Sequence, residues 1–406
     1  MKYYIYENNR TFDLEPLSLT RPTFSIRCGP FTFLERIKNF LPNSAEISLF
    51  VRDSLKNLVQ EQYPDVEVNP DKVGSGIWLL GTVYWNPADL QIASNKNDTI
   101  FKNKDSMIGA NLSKKEGSDW LEKGGPVTDD IQTDTNMQEL GSQPVNYLWN
   151  ILYEIPKTME SDNKLFRVKE GKVKSEKNLH IIHTENTWID ESCILNPSIV
   201  IDSTQGSIII DKNAEIGSFS YLEGPLFIGE KSKIHPLTKL KRSIIGPECR
   251  IGGEVDQTII QGFSNKAHDG HLGDAFLGEW VNLGAGTNNS NLKNNYASVE
   301  VTVHGNKIDT GNLFIGSFIG DHSKTAIGTQ LNTGTSIGVG CNIVSKSFPP
   351  RNLPSFTWYI NGRRVSAKLN KFIQTVSVVK NRRSKSFSRI ERVFYESLFH
   401  DIHSEL

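Results

Sequence analysis

The sequence predicts an α/β domain with a doubly wound sheet over 1–178, a β-solenoid of six-residue repeats over 179–350, and a basic helical tail over 351–406. Three observations predict this order. Short apolar runs alternate with helical patterns in the first part of the chain. Aliphatic residues then recur every six positions. Cations crowd the C-terminal stretch.

In the first part, Tyr3 to Tyr6 reads as a strand. Pro30 can open a helix, where its missing N–H is not needed, and Leu34, Ile37 and Leu41 then share a face. Ile47 to Val51 is apolar enough for a strand buried on both faces. Asp53 can cap the next helix, with Leu55, Leu58 and Val59 on one side. Val66 to Val68 and Ile77 to Leu80 supply further strands, and the β-α-β-α-β order predicts a parallel sheet. Ligands of such sheets bind at the carboxyl ends of the strands. Ser113 to Gln143 is polar and reads as a long loop or lid, and Asn146 to Tyr153 as a helix. The turn after the first strand, Glu7-Asn8-Asn9-Arg10, has no glycine to let backbone N–H groups approach a phosphate. Arg21 and Arg27 in the next loop can meet a phosphate, or can be plain surface arginines.

In the middle, Ile210, Ile216, Leu222, Ile228, Ile234 and Leu240 are spaced by six, and Ile245 and Ile251 resume after a one-residue slip. Six fits neither a 3.6-residue helix nor hairpin alternation; it marks a hexapeptide β-solenoid. One aliphatic per short strand would point inward and stack on its counterpart in the next coil, each stabilising by roughly 1.5–3 kcal/mol before entropy. Glycine often follows the aliphatic, as in Ile216-Gly217 and Ile228-Gly229, and would permit the turn at each corner. Asn288 to Leu313 breaks the period and contains a plausible strand, Val299 to Val303; insertions in solenoids map to loops on one face, often the binding face. Pro349, Pro350 and Pro354 would end the solenoid.

The polar cluster Lys266, His268, Asp269 and His271 lies inside this repeat. An imidazole can accept a proton near neutral pH, which suits His268 to a base, whereas a hydrogen-bonded loop histidine is the plain alternative. Lys293 can hold a phosphate as a point charge or stay solvated. From Arg363 to Arg392 there are ten Lys or Arg and one acid, Glu391. Leu369, Phe372, Ile373, Val376 and Val379, then Ile390, Val393 and Phe394, fit helical faces. The tail is either a helix packed on the solenoid with a solvated cationic side, or a source of cations for the phosphates of a nucleotide sugar or coenzyme A.

A net charge of -1 argues against a nucleic-acid binder. No run of 18 apolar residues suggests a membrane span, and MKYYIYENN lacks a signal core. Cys28, Cys193, Cys249 and Cys341 form no CxxC pair, which argues against disulfides or a thiolate zinc site and for a reducing cytoplasm.

The repeats followed by KAHDGHLGDAFLGEWVNLGAGTNNSN resemble the left-handed β-helix domain of the bifunctional N-acetylglucosamine-1-phosphate uridylyltransferase/glucosamine-1-phosphate acetyltransferase family. LSLTRPTFSIRCGPFTFLERI and NLGAGTNNSNLKNNY look like a divergent branch of it, the sugar nucleotidyltransferases. The resemblance is strong over 264–345 and weak over 1–165. It implies a nucleotidyltransferase-like first domain, a left-handed prism of three hexads per turn, and homotrimers with acetyl-transfer sites between prisms. It makes His268 the base on a sugar amine, Asn282 a holder of the acceptor or acetyl group, and Asn291 a sugar contact. Ala285 and Ser317 match contacts to acetyl-coenzyme A, the cosubstrate. His271 departs from the family's aromatic residue. In the first domain Arg21-Pro22 stands where the family has Lys-Pro. Leu80-Gly81-Thr82 stands where a Gly-Asp pair would hold Mg²⁺, and a neutral threonine cannot replace a carboxylate on a hard cation.

The reading is an enzyme of nucleotide-sugar biosynthesis, a transferase acting on sugar phosphates with a nucleoside triphosphate or nucleotide sugar. It acetylates a hexosamine-1-phosphate at the β-helix, with nucleotidyl transfer as a second activity of the first domain. One alternative is a hexapeptide metal hydro-lyase resembling γ-class carbonic anhydrases, through His268, His271, His304 and His322; their spacing fits no ligand pattern. The other is a non-catalytic sugar-nucleotide-binding protein.

Overall fold

The computed structural model describes residues 1–128, 131, 136–167 and 179–404. The expected boundary at 178 lies outside the described residues.

The N-terminal sheet has seven strands among the described residues, in the order 67–68, 46–50, 2–6, 76–80, 106–112, 99–103, 136–139. The first four are parallel, as the alternation predicts. The strand Ser106–Leu112 then runs antiparallel to Gly76–Leu80, so the sheet is mixed. The first helix is Phe33–Phe40, capped by Thr32 and Glu35 rather than opened by Pro30. Asp53 is the first residue of the second helix and gives no side-chain cap. Much of the expected loop from Ser113 to Gln143 is ordered: Ser113 and Glu116 form a capping box for the helix Lys114–Glu122, and Asn136–Glu139 joins the sheet. Residues 129, 130 and 132–135 of that stretch lie outside the described residues.

The middle of the chain is a three-sided parallel β-helix. As far as Phe276–Glu279 each paired strand meets the third one after it, which splits those coils into three sheets. One inward column runs Ile189, Ile210, Ile228, Ile245, Ile260, Leu277, Ile319, Ile337, Leu353. All nine are buried. The glycine directly after the aliphatic does not make the corner turn; glycine takes the corner itself in the later coils, at Gly286, Gly328, Gly334 and Gly340. Positive φ falls three residues after the inward aliphatic, at Asn213, Phe219, Lys231, Leu237, Glu248 and Phe263. The glycines after the aliphatics serve close stacking instead: a Cβ on Gly246 would overlap the Gln261 carbonyl of the next coil.

The prism extends beyond the expected limit of 350. Asn352–Leu353 pairs with the strand Thr335–Ile337, and Thr357–Ile360 with Asn342–Val344. The prolines sit at corners, where no ladder donor is required. The insertion forms an antiparallel hairpin, Glu300–Val303 with Asn306–Asp309, whose His304 stacks on Phe12 of the N-terminal domain at 4.8 Å.

Two helices, Leu369–Asn381 and Arg389–Ser404, complete the fold. Phe372, Ile373, Val376, Phe394 and Tyr395 are buried, whereas Ile390 and Val393, expected on the packed face, are exposed. The second helix packs on the N-terminal helix Asp53–Gln62, and Ser388 donates to Glu61 at 2.6 Å.

Candidate active site

The third inward position of one coil is not aliphatic. Lys266 continues the column Ile216, Ile234, Ile251 and is 2% exposed. Its ammonium donates to the carbonyls of Gly252 and His268. Burial lowers its pKa to about 8, opposed by Asp269. Lys266 therefore pins the corner on which His268 stands, with the His268 side chain exposed.

His268 opens onto a cavity of about 800 Å³. The floor is one outward column of a prism face: Arg250, Asn265, Asn282 and Lys324. Asn282 accepts from Asn265, which in turn accepts from Arg383 of the tail. Trp280 and Phe263, stacked at 4.6 Å, form an aromatic wall. Val379, Arg382 and Arg383, at the end of the first tail helix, close the opposite side. His235 also faces the cavity; burial lowers its pKa first, then the charges of His268 and Arg250. Behind Trp280 lies His322, buried and held well below the usual imidazole range.

The structure thus brings together His268, Asn282 and Ala285 of the expected set. It places the others elsewhere. Asn291 donates to Asp274 at 2.6 Å, and Lys293 to the Ser298 carbonyl. His271 lies beside that pair, over Gly273. Burial raises the Asp274 pKa to about 6. Ser317 is fully buried. Arg21 is a correction: it is buried and paired with Asp321 and Glu279 of the prism, so its guanidinium is not presented to a substrate phosphate. Thr20 also donates to Asp321, at 2.7 Å. Arg27 likewise tethers the domains, bonding the Gln261 backbone and side chain. His304 stacks on Phe12 and His322 lies under Trp280, and among the described residues no group of three or more His, Cys, Asp or Glu side chains could hold a metal ion.

The sequence did not single out Arg250, Lys324 and His235 as cavity residues, and offered Arg382 and Arg383 only among the ten cations of the tail. A signal existed for the first two. Arg250, Asn265, Asn282 and Lys324 each directly precede an inward residue of the same column. Only the pairing of coils shows that they share a face.

At the carboxyl ends of the N-terminal strands lies a second opening, of about 120 Å³. Asn8, Asn9, Arg10, Thr82 and Asp105 line it. Glu7, at the root of the glycine-free turn, is buried and accepts from Thr23 and Arg52, which ties the turn down. The resemblance implies magnesium here. Asp105 is the one carboxylate of this lining, among amides, hydroxyls and an arginine, and that set does not fit a magnesium-bound triphosphate.

Residues 3–170 match the family described as "Sugar nucleotidyl transferase". A bifunctional sugar-1-phosphate nucleotidylyltransferase/acetyltransferase of Sulfurisphaera tokodaii is 34% identical over 165 residues, 39% of this chain and 41% of that protein. The bifunctional protein GlmU of Acaryochloris marina is 29% identical over 194 residues, 43% of this chain and 39% of that protein. The chain spans about two fifths of the length of these relatives. Among solved structures, a UDP-N-acetylglucosamine acyltransferase of Francisella novicida aligns over 51% of this chain and 74% of its own, with 13% identity and a TM-score of 0.21, too low to argue from. The chain is thus similar over 3–170 to a sugar nucleotidyl transferase family, and in part to proteins named as bifunctional nucleotidylyltransferase/acetyltransferases.

Proposed function

We propose that the corner cavity transfers an acyl group, acetyl from acetyl-coenzyme A, to the amine of a hexosamine-1-phosphate, with His268 as base. The observation that supports it is His268 opening onto a large cavity beside Asn282 and Ala285, three of the residues that the family resemblance implies. The amine nitrogen attacks the thioester carbonyl carbon while His268 takes its proton. The C–S bond then breaks, and His268 returns the proton to the departing thiolate. Asn282, oriented by Asn265, holds the acceptor or the acyl oxygen.

Nucleotidyl transfer to a sugar-1-phosphate is the proposed second activity, at the strand ends of the N-terminal domain. Small-molecule sites occupy roughly 300–1,000 Å³. The opening there is about 120 Å³, so Asn8 to Arg10 must move before a nucleoside triphosphate enters. No helix among the described residues is long and apolar enough to cross a membrane. The proposed setting is the cytoplasm, and the proposed assembly a homotrimer, for which exposed Phe219, Leu237 and Ile327 offer apolar surface.

The test is release of coenzyme A thiol from acetyl-coenzyme A with glucosamine-1-phosphate, for wild type and His268→Ala. A placed base contributes about 10²–10⁴ in rate, and the variant should lose that much. Undiminished turnover would end the assignment. Binding without turnover in the wild type would leave a sugar-nucleotide-binding protein.

A further inference from the structure

A third cavity, of about 520 Å³, lies where four parts of the chain meet. The N-terminal domain supplies Phe12 and Glu15, and the insertion hairpin supplies His304. A late coil of the prism supplies Leu353, and the second tail helix supplies Phe394, Leu398 and Asp401. The size is that of a small-molecule site, and the apolar walls with a few polar groups fit one. Insertions in solenoids also tend to mark a binding face, and here the hairpin forms one wall.

Charge decides what enters. The two cationic side chains of the lining are already matched. Arg52 bonds Glu7 at 3.0 Å and the carbonyls of Ser18 and Arg21. His304 meets Glu15 at 3.2 Å. Asp401 adds a further carboxylate, exposed on the tail helix. An apolar body with one positive end suits such a lining. The aromatic and aliphatic walls take the body from water, and the cation meets the carboxylate.

This cavity shares a wall with the strand-end opening. Thr11–Leu14 is a single 3-10 turn. Phe12 lines the cavity and stacks on His304, whereas Thr11 and Leu14 line the opening with Asn8 and Arg10. Arg10 fastens the turn, bonding Asp13 and Asn146 at 2.9 Å each. A ligand shifts an equilibrium toward the arrangement it binds better. A ligand resting on Phe12 therefore favours the closed turn.

We propose that this cavity is a regulatory site for a small organic cation with an apolar, ring-sized body, and that its occupant holds the strand-end turn closed. The consequence for turnover rests on the nucleotidyl-transfer reading; the binding and the tightening of the turn do not.

Titrate the full-length protein by calorimetry with tryptamine and with indole-3-propionate, which share a ring and differ in the sign of their charge. Tryptamine should bind at least tenfold more tightly. Asp401→Asn should remove most of that preference. Ser397→Trp, which fills the cavity from an exposed position of the helix, should weaken tryptamine at least tenfold. Hydrogen exchange then reads the turn. The amides of Asp13 and Glu15 donate to the carbonyls of Arg10 and Phe12, and with tryptamine bound both should exchange at least threefold more slowly. No binding of tryptamine, equal binding of the two compounds, or binding that survives Ser397→Trp overturns the site. Unchanged exchange with tryptamine bound overturns its hold on the turn. Pyrophosphate release should fall as tryptamine binds. Absence of any release without tryptamine would strike at the nucleotidyl-transfer reading alone.

Discussion

The strand-end opening of the N-terminal domain and the corner cavity of the prism are built in opposite ways. The first is small, about 120 Å³, and sits beneath a turn tied down by buried Glu7. The second is about 800 Å³, ringed by cations, and lies on a face set by stacked coils. The family match covers residues 3–170, the part with the tighter opening. Similarity along a chain and readiness of a site for chemistry are thus separate observations. A sheet can keep its order while the loop at its strand ends closes over. A prism face stays open because its outward residues have no neighbouring layer within the chain until the tail arrives.

The largest effect should come from separating the two sites by mutation. His268→Ala should lower thiol release by about 10²–10⁴, and Asp105→Asn should leave it unchanged. In an assay of pyrophosphate release from UTP or dTTP with sugar-1-phosphates, His268→Ala should match the wild type. Equal sensitivity of both assays to either variant would mean that the two regions are not independent sites.

Next is the link between them. Arg21 is buried between the domains with Asp321 and Glu279. Arg21→Met leaves Asp321 without its cation, and breaking a buried pair costs about 3–5 kcal/mol. Urea unfolding should show that loss, and a change under about 1 kcal/mol would show that the contact does not hold the domains together. A smaller but still marked loss, about 2–5 kcal/mol, is expected for Ile228→Ala in the inward column.

The smallest effect concerns pH. Lys266 has a pKa lowered from 10.5 to about 8 in the fold. The unfolded chain therefore binds more protons between these values, and stability rises with pH across that window. Lys324 acts in the same direction. Melting curves from pH 8 to 10.5 should climb less steeply for Lys266→Met than for wild type. Parallel curves would place the ammonium in ordinary solvent.

What the sequence determined by itself was periodic. Six-residue spacing fixed the solenoid, because only a short strand and a corner fit that interval and each short strand must bury one aliphatic. The same pattern, with the family resemblance, marked His268, Asn282 and Ala285. Spacing could not show which outward residues share a face, because Arg250 and Lys324 are far apart along the chain and fall in one column, with Asn265 and Asn282 between them, only through the pairing of coils. Nor could it show that Arg21 turns inward to Asp321, or that Arg382 and Arg383 reach the cavity. Those placements depend on how separate layers pack. A side chain's charge is written in its sequence, but what it meets is decided by the surface brought against it.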